Sequence, residues 1–384
     1  MKLLVMLAAL LLLLGADVQE QSPEDYQNEQ LERLGMEEVE EFWEEISQSY
    51  GPFLPESEKD DVSEWVSEHG GTELSDWISA GVQFFFHELS ANIQLLGTLI
   101  LLAVFSTLLR ALQNAFEQET VSRVAYSVVF IVLFILVANS FYVAMDYARD
   151  AVGNMVHFMI ALLPMMLALL ATTGAVTSAA LFHPLIIFFV NTSGLLIESV
   201  VLPLLFLSAL LSIVSFLNER FQLTKLAALL RNTAMGLLGL FLTVFLGVIS
   251  VQGATAAVSD GIAVRTAKYI AGNFVPIVGR IFTDAADTVL GASMLVKNTV
   301  GAAGLLILFL ICAFPAIKLL ALAAVYYLSA AVLQPLGGGP MLDCLSLLGR
   351  TVLFMFAALS VVGLMFFLAL TMIIASGNMA LMMR

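Results

Sequence analysis

Residues 124–145, VAYSVVFIVLFILVANSFYVAM, hold no charged side chain, and a run of that kind leaves few ways to fold. About 18–20 apolar residues cross a hydrocarbon core as a helix, because a helix satisfies its own backbone hydrogen bonds where there is no water. Candidate windows fall at about 93–109, 124–145, 153–172, 181–197, 200–217, 233–252, 301–317, 319–335 and 351–374. A transmembrane barrel needs short alternating segments, and the sequence has none. The expected fold is therefore all-α, a polytopic helical membrane protein with about 7–9 transmembrane helices. Two stretches, 181–217 and 301–335, read either as two short, tightly turned spans each or as a long tilted helix with a re-entrant piece.

Composition agrees, with 60% hydrophobic and 12% charged residues, against roughly 45–50% and 25% in soluble domains. The net charge of -15 hides an asymmetry. Residues 17–80 carry 20 Asp/Glu and 2 Lys/Arg, so the remainder is mildly basic. No stretch pairs clustered bases with aromatics, which leaves nucleic-acid binding unsupported. Met1-Lys2 followed by Leu3–Leu14 reads as a secretory signal, too short to span a bilayer, with a weak cleavage site after Ala16. The chain divides into a signal at 1–16, an acidic extracytoplasmic segment at 17–88 and a polytopic membrane domain at 89–384. Cys312 and Cys344 imply no disulfide framework.

The acidic segment reads as helical in two pieces. Val39, Phe42, Trp43, Ile46 and Tyr50 share one helical face, and Gly51-Pro52 ends that helix. The second piece leads into the first span, with Trp65, Trp77 and Phe84–Phe86 near the interface. Such a segment either packs on its own membrane portion or offers a docking surface to partner proteins.

Arg110, Arg123, Arg220, Lys225 and Arg231 flank loops expected on the cytoplasmic side. Nine spans then place Arg384 and Lys318 inside but Arg350 outside. A second pattern points the other way. Pro164 and Pro276 are 112 residues apart, as are Pro203 and Pro315, and Arg123, Arg231 and Arg350 each open a long span. A repeat of about 112 residues in one orientation would put Arg350 inside.

Enzyme motifs are absent. HELSA at His87 lacks the second histidine of a zinc-protease helix, GGGP at Gly337–Pro340 lacks the lysine of a phosphate loop, and no metal-ligand spacing occurs. No catalytic residue, metal or cofactor is expected.

The informative residues are polar groups inside apolar runs, each costly unless paired or wetted. Glu198, beside Asn191, Thr192 and Ser193, sits either at a hairpin turn near water or deep within a continuous segment. Lys318 in FPAIKLL poses the same choice. The stretch SDGIAVRTAKYIAGNFVPIVGRIFTDAAD, residues 259–287, places Arg265, Lys268, Arg280, Asp284 and Asp287 at helical spacing opposite an apolar stripe. Gly272, Pro276 and Gly279 break its middle. Within a connector at 253–300, it reads as an amphipathic, re-entrant-type segment. It would serve as a surface connector, a pore-lining element or a partner-docking surface.

That stretch, with LQNAF, LFHPLIIFFVNTSGLL, LTVFLGVISVQG, VKNTVGAAG, FPAIK and LQPLGGGPMLDC, resembles the stage III sporulation protein AE family of endospore-forming Firmicutes from about Leu89 to Arg384. The resemblance implies a non-enzymatic membrane subunit, a permease-like core or scaffold, of a mother-cell-to-forespore channel complex. It implies sister proteins of one operon and a forespore membrane partner, in the mother-cell membrane around the forespore. From the residues alone, an autonomous secondary transporter for a small solute stands as the alternative.

Overall fold

The computed structural model describes residues 37–55, 74–115, 119–217, 223–274, 278–336 and 340–382, and every regular element among them is helical. Two short helices come first, α1 (Glu37–Tyr50) and α2 (Leu74–Ala91). The chain bends by 48° between α2 and α3 (Ile93–Ala115). Then come α4 (Glu119–Thr172) and α5 (Val176–Leu196), the latter running through a π-helical turn at Ile197–Val201 into α6 (Leu202–Leu217). Three long helices complete the chain, α7 (Thr224–Phe274), α8 (Val278–Leu333) and α9 (Pro340–Met382).

Five stretches of 38–44 residues are long and apolar enough to cross a membrane, or six with the bent pair α2–α3. This is fewer than the 7–9 spans expected, because the apolar windows fuse. Windows 124–145 and 153–172 are halves of α4, 181–197 and 200–217 join through the π turn, and 301–317 and 319–335 both lie in α8. The expected boundaries fell at charged residues, Asp146–Asp150, Glu198 and Lys318. A helix carries such groups without breaking when the surrounding protein meets them. Pro315 removes one hydrogen bond from α8 without ending it.

The long helices alternate in direction. Between α8 and α9, Gly349 meets Tyr327, Gly363 meets Cys312 and Gly301 meets Ile374, an antiparallel register. Between α4 and α9, Met155 lies at Gly363 and Leu170 at Gly377, a parallel one. Glycines let these three helices approach closely. A Cβ at Gly304 would stand 2.6 Å from Leu162 of α4, and one at Gly301 would stand 2.6 Å from Ile374. Small residues at helix contacts serve this purpose in membranes, where burial alone drives little association.

The alternation collects the start of α4, the starts of α7 and α9 and the ends of α3, α6 and α8 at one end of the bundle. Arg231 lies over the Phe354 ring at 5.5 Å and within electrostatic reach of Arg350. Arg350 therefore shares an end with Arg231, on the side opposite to that expected from nine spans. At the other end α4 turns into α5 through Gly174, whose φ of 86° suits glycine. There Asp260 of α7 accepts the N–H groups of Thr177 (2.8 Å) and Ser178 (3.0 Å), capping α5 from another helix.

The connector expected at 253–300 is the continuation of α7 and the beginning of α8. Gly272 and Gly279 lie inside those helices, and residues 275–277, Pro276 among them, fall outside the described residues. Measured from Asp260, α7 runs on for roughly 20 Å past the Gly174 turn.

Candidate functional site

Midway along α4 the apolar sequence gives way to Asp146, Tyr147, Arg149, Asp150 and Asn154. Two other helices bring polar or interrupted sequence to this level. One is α8 at Pro315 and Lys318; the other is the π turn carrying Glu198, whose Oε1 lies against Gly153, 3.9 Å from where a Cβ would stand. Glu198 thus belongs to a continuous helical segment rather than a hairpin turn. The glycine leaves room for its carboxylate beside α4. π-helical turns recur at functional positions because the extra residue redirects one side chain.

The acidic segment closes the other side of α4. Helix α1 buries Val39, Trp43 and Ile46, the face expected from their spacing. Phe42 meets Phe158 of α4 edge-on at 5.1 Å. Tyr50 stacks on Phe314 of α8 at 4.0 Å with an interplanar angle of 6°. Phe84 of α2 completes the cluster, edge-on to Phe314 at 5.0 Å and to Tyr50 at 5.6 Å. Aromatic pairs in these geometries add to what burial alone contributes.

Lys318 sits at the centre. Its Nζ is 3.9 Å from Glu88 Oε1 and lies over the rings of Tyr147 at 5.1 Å and Tyr50 at 5.5 Å. Burial, with the carboxylates of Glu88 and Glu45 and then Tyr147 adding to it, pushes the Tyr50 phenol above the usual tyrosine range. Between α1, α4 and α8 lies a cavity of about 180 Å³, bordered by Glu45, Tyr50, Tyr147, Asp150, Asn154, Ile311, Pro315 and Lys318. Because Pro315 has no N–H, the carbonyl of Ile311 loses its partner in α8, and both residues face this space.

Of the expected site residues, Lys318 and Glu198 come together on two sides of one stretch of α4. Arg265 is exposed beyond the Gly174 end and joins neither. The backbone positions of Lys268, Arg280, Asp284 and Asp287 fall on the adjoining ends of α7 and α8, but their side chains lie outside the described residues. Among the described residues no group of acidic, histidine or cysteine side chains could hold a metal ion.

Sequence reading missed two buried charges near the Gly174 end. Asp260 is 1% exposed and caps α5. Lys297 is fully buried and donates to Ile374 O at 2.8 Å and to Asn378 Oδ1 at 3.0 Å. The available signal was a lone charge beside a long apolar run, the criterion that found Lys318.

Comparison with known proteins places the molecule. The family model described as stage III sporulation protein AE matches residues 57–377. The protein named stage III sporulation protein AE from Bacillus subtilis (strain 168) is 56% identical over 351 residues, 91% of this chain and 88% of its own length. No solved structure matches the chain. The family match takes in α2 through most of α9, including Gly153, Glu198 and Lys318, whereas α1 precedes it.

Proposed function

The chain belongs to the stage III sporulation protein AE family, which ties it to sporulation, and on that premise we propose that it is a non-enzymatic membrane subunit of the mother-cell-to-forespore channel complex. It acts there as a permease-like core or scaffold, beside sister proteins of its operon and a partner in the forespore membrane. It supports spore development and late forespore gene expression from the mother-cell membrane surrounding the forespore.

The observation that carries this reading is the height of the apolar surface. Helical stretches of 38–44 residues measure roughly 57–66 Å. A bilayer covers about 30 Å of that, and a tilt of 40° still leaves about 45 Å. Apolar side chains are exposed along the full length, from Leu229 and Leu240 near the basic end to Phe188, Val258 and Leu295 toward the other. Lipid of one bilayer does not cover such a surface, and apolar partner chains would. The basic end is assigned to the cytoplasm, because Lys225, Arg231 and Arg350 gather there, and the acidic segment is assigned to the opposite side.

The cavity beside Lys318 favours the second reading, an autonomous transporter for a small solute. Affinity purification of the full chain from sporulating cells separates the two. A complex subunit retains the sister proteins, and deleting residues 17–80 weakens that retention. A protein that purifies alone from both strains contradicts the subunit reading.

A further inference from the structure

We propose that the cavity between α1, α4 and α8 binds a small organic ammonium ion. The inference goes beyond the subunit reading and does not depend on it, since a scaffold can hold a regulatory amine as readily as a permease can hold a solute.

Three observations point to a cation. The first is charge. Glu45 and Asp150 line the space, and Lys318, the cationic side chain bordering it, is already paired with Glu88. Among the described residues neither Glu45 nor Asp150 forms an ion pair. An anionic guest would meet an excess of carboxylates there.

The second is the set of acceptors. Ile311, whose carbonyl loses its helical donor at Pro315, lines the space together with the acceptor-bearing Asp150 and Asn154. An ammonium group carries three donors and no acceptor, so a wall rich in acceptors suits it. A helix carbonyl without its own donor can accept from a bound ammonium.

The third is the aromatic lining. Tyr50 and Tyr147 already hold one ammonium, that of Lys318, at 5.5 and 5.1 Å from their ring centres. Aromatic faces attract cations through the ring quadrupole. The volume of about 180 Å³ exceeds the ~150 Å³ that accommodates benzene in an engineered apolar cavity, so a primary amine with a short alkyl chain fits. Lys318 is then the resident competitor. It shares the Tyr147 ring with the guest and repels it.

The test is titration calorimetry of the full chain in lipid nanodiscs. Butylammonium is the probe, with butan-1-ol as its neutral isostere and butyrate as the anion. Butylammonium is expected to bind saturably below about 10 mM and at least about tenfold more tightly than either control. Asp150→Asn should weaken it about tenfold, Tyr147→Phe should preserve it and Tyr147→Leu should weaken it. Lys318→Gln should tighten it, because the competing cation is gone. Unfolding midpoints without probe verify that each variant is folded. Equal binding of the alcohol, weaker binding in Lys318→Gln, an unchanged Asp150→Asn or no saturable heat below about 10 mM would each overturn the proposal.

Discussion

Tyr50 shows how much one side chain holds together. It ends α1, stacks on Phe314, borders the cavity and lies under the Lys318 ammonium. Its phenol stays protonated above the usual tyrosine range because burial and nearby carboxylates disfavour the phenolate. When α1 is undocked, the phenol titrates near its ordinary value of about 10. Docking stability from this group is therefore complete below about pH 10 and is lost as pH rises through the higher docked value. With Trp65 and Trp77 replaced by Phe, Trp43 on the buried face of α1 reports docking by fluorescence. Its emission should shift red in this alkaline window, and Tyr50→Phe should suppress the shift. An identical alkaline transition in both proteins would remove Tyr50 as its cause. Lys318 and Glu198 were legible in the sequence because each stands alone in an apolar run. Asp150 and Asn154 were not, because Asp146–Asn154 resembles a loop when only charge is considered.

At the scale of elements, the contacts that fix helix positions are few and close. Asp260→Ala leaves the Thr177 and Ser178 N–H groups without their acceptor, and the expected loss is about 1–3 kcal/mol of stability. Gly304→Val drives a side chain into those of Leu162 and Leu370, which must give way, with an expected loss of about 1–3 kcal/mol as overpacking. Denaturant unfolding of the purified protein measures both, and wild-type midpoints would contradict these assignments. Helical character and the α1 face were legible, since they follow from a period of 3.6 residues and from stop signals such as Gly51-Pro52. Helix continuity was not. Lys318 looked like a span end because its partners, Glu88 and Tyr50, belong to α2 and α1, far away in sequence. Lys297 was overlooked for a related reason, since its acceptors Ile374 and Asn378 belong to α9.

For the whole molecule, the decisive difference lies between nine short crossings and five long helices. The two disagree on where the end of α8 lies. In a background lacking Cys312 and Cys344, single cysteines at Thr224 and Gln334 should react with an impermeant thiol reagent from one side of the membrane, and one at Val176 from the other. Labelling of Thr224 and Gln334 from opposite sides would restore the hairpin reading of 301–335. One mechanical consequence follows from α8 being a single helix from Val278 to Leu333. It works as a rod whose first turns stand beyond the Gly174 turn and whose shaft forms a wall of the Lys318 cavity. The ladder of hydrogen bonds along that rod lacks one rung at Pro315, beside the cavity, where the rod yields most easily. A push on those first turns by a neighbouring protein would then be felt about 40 residues away as a change in the cavity's width, with no residue of the wall being touched.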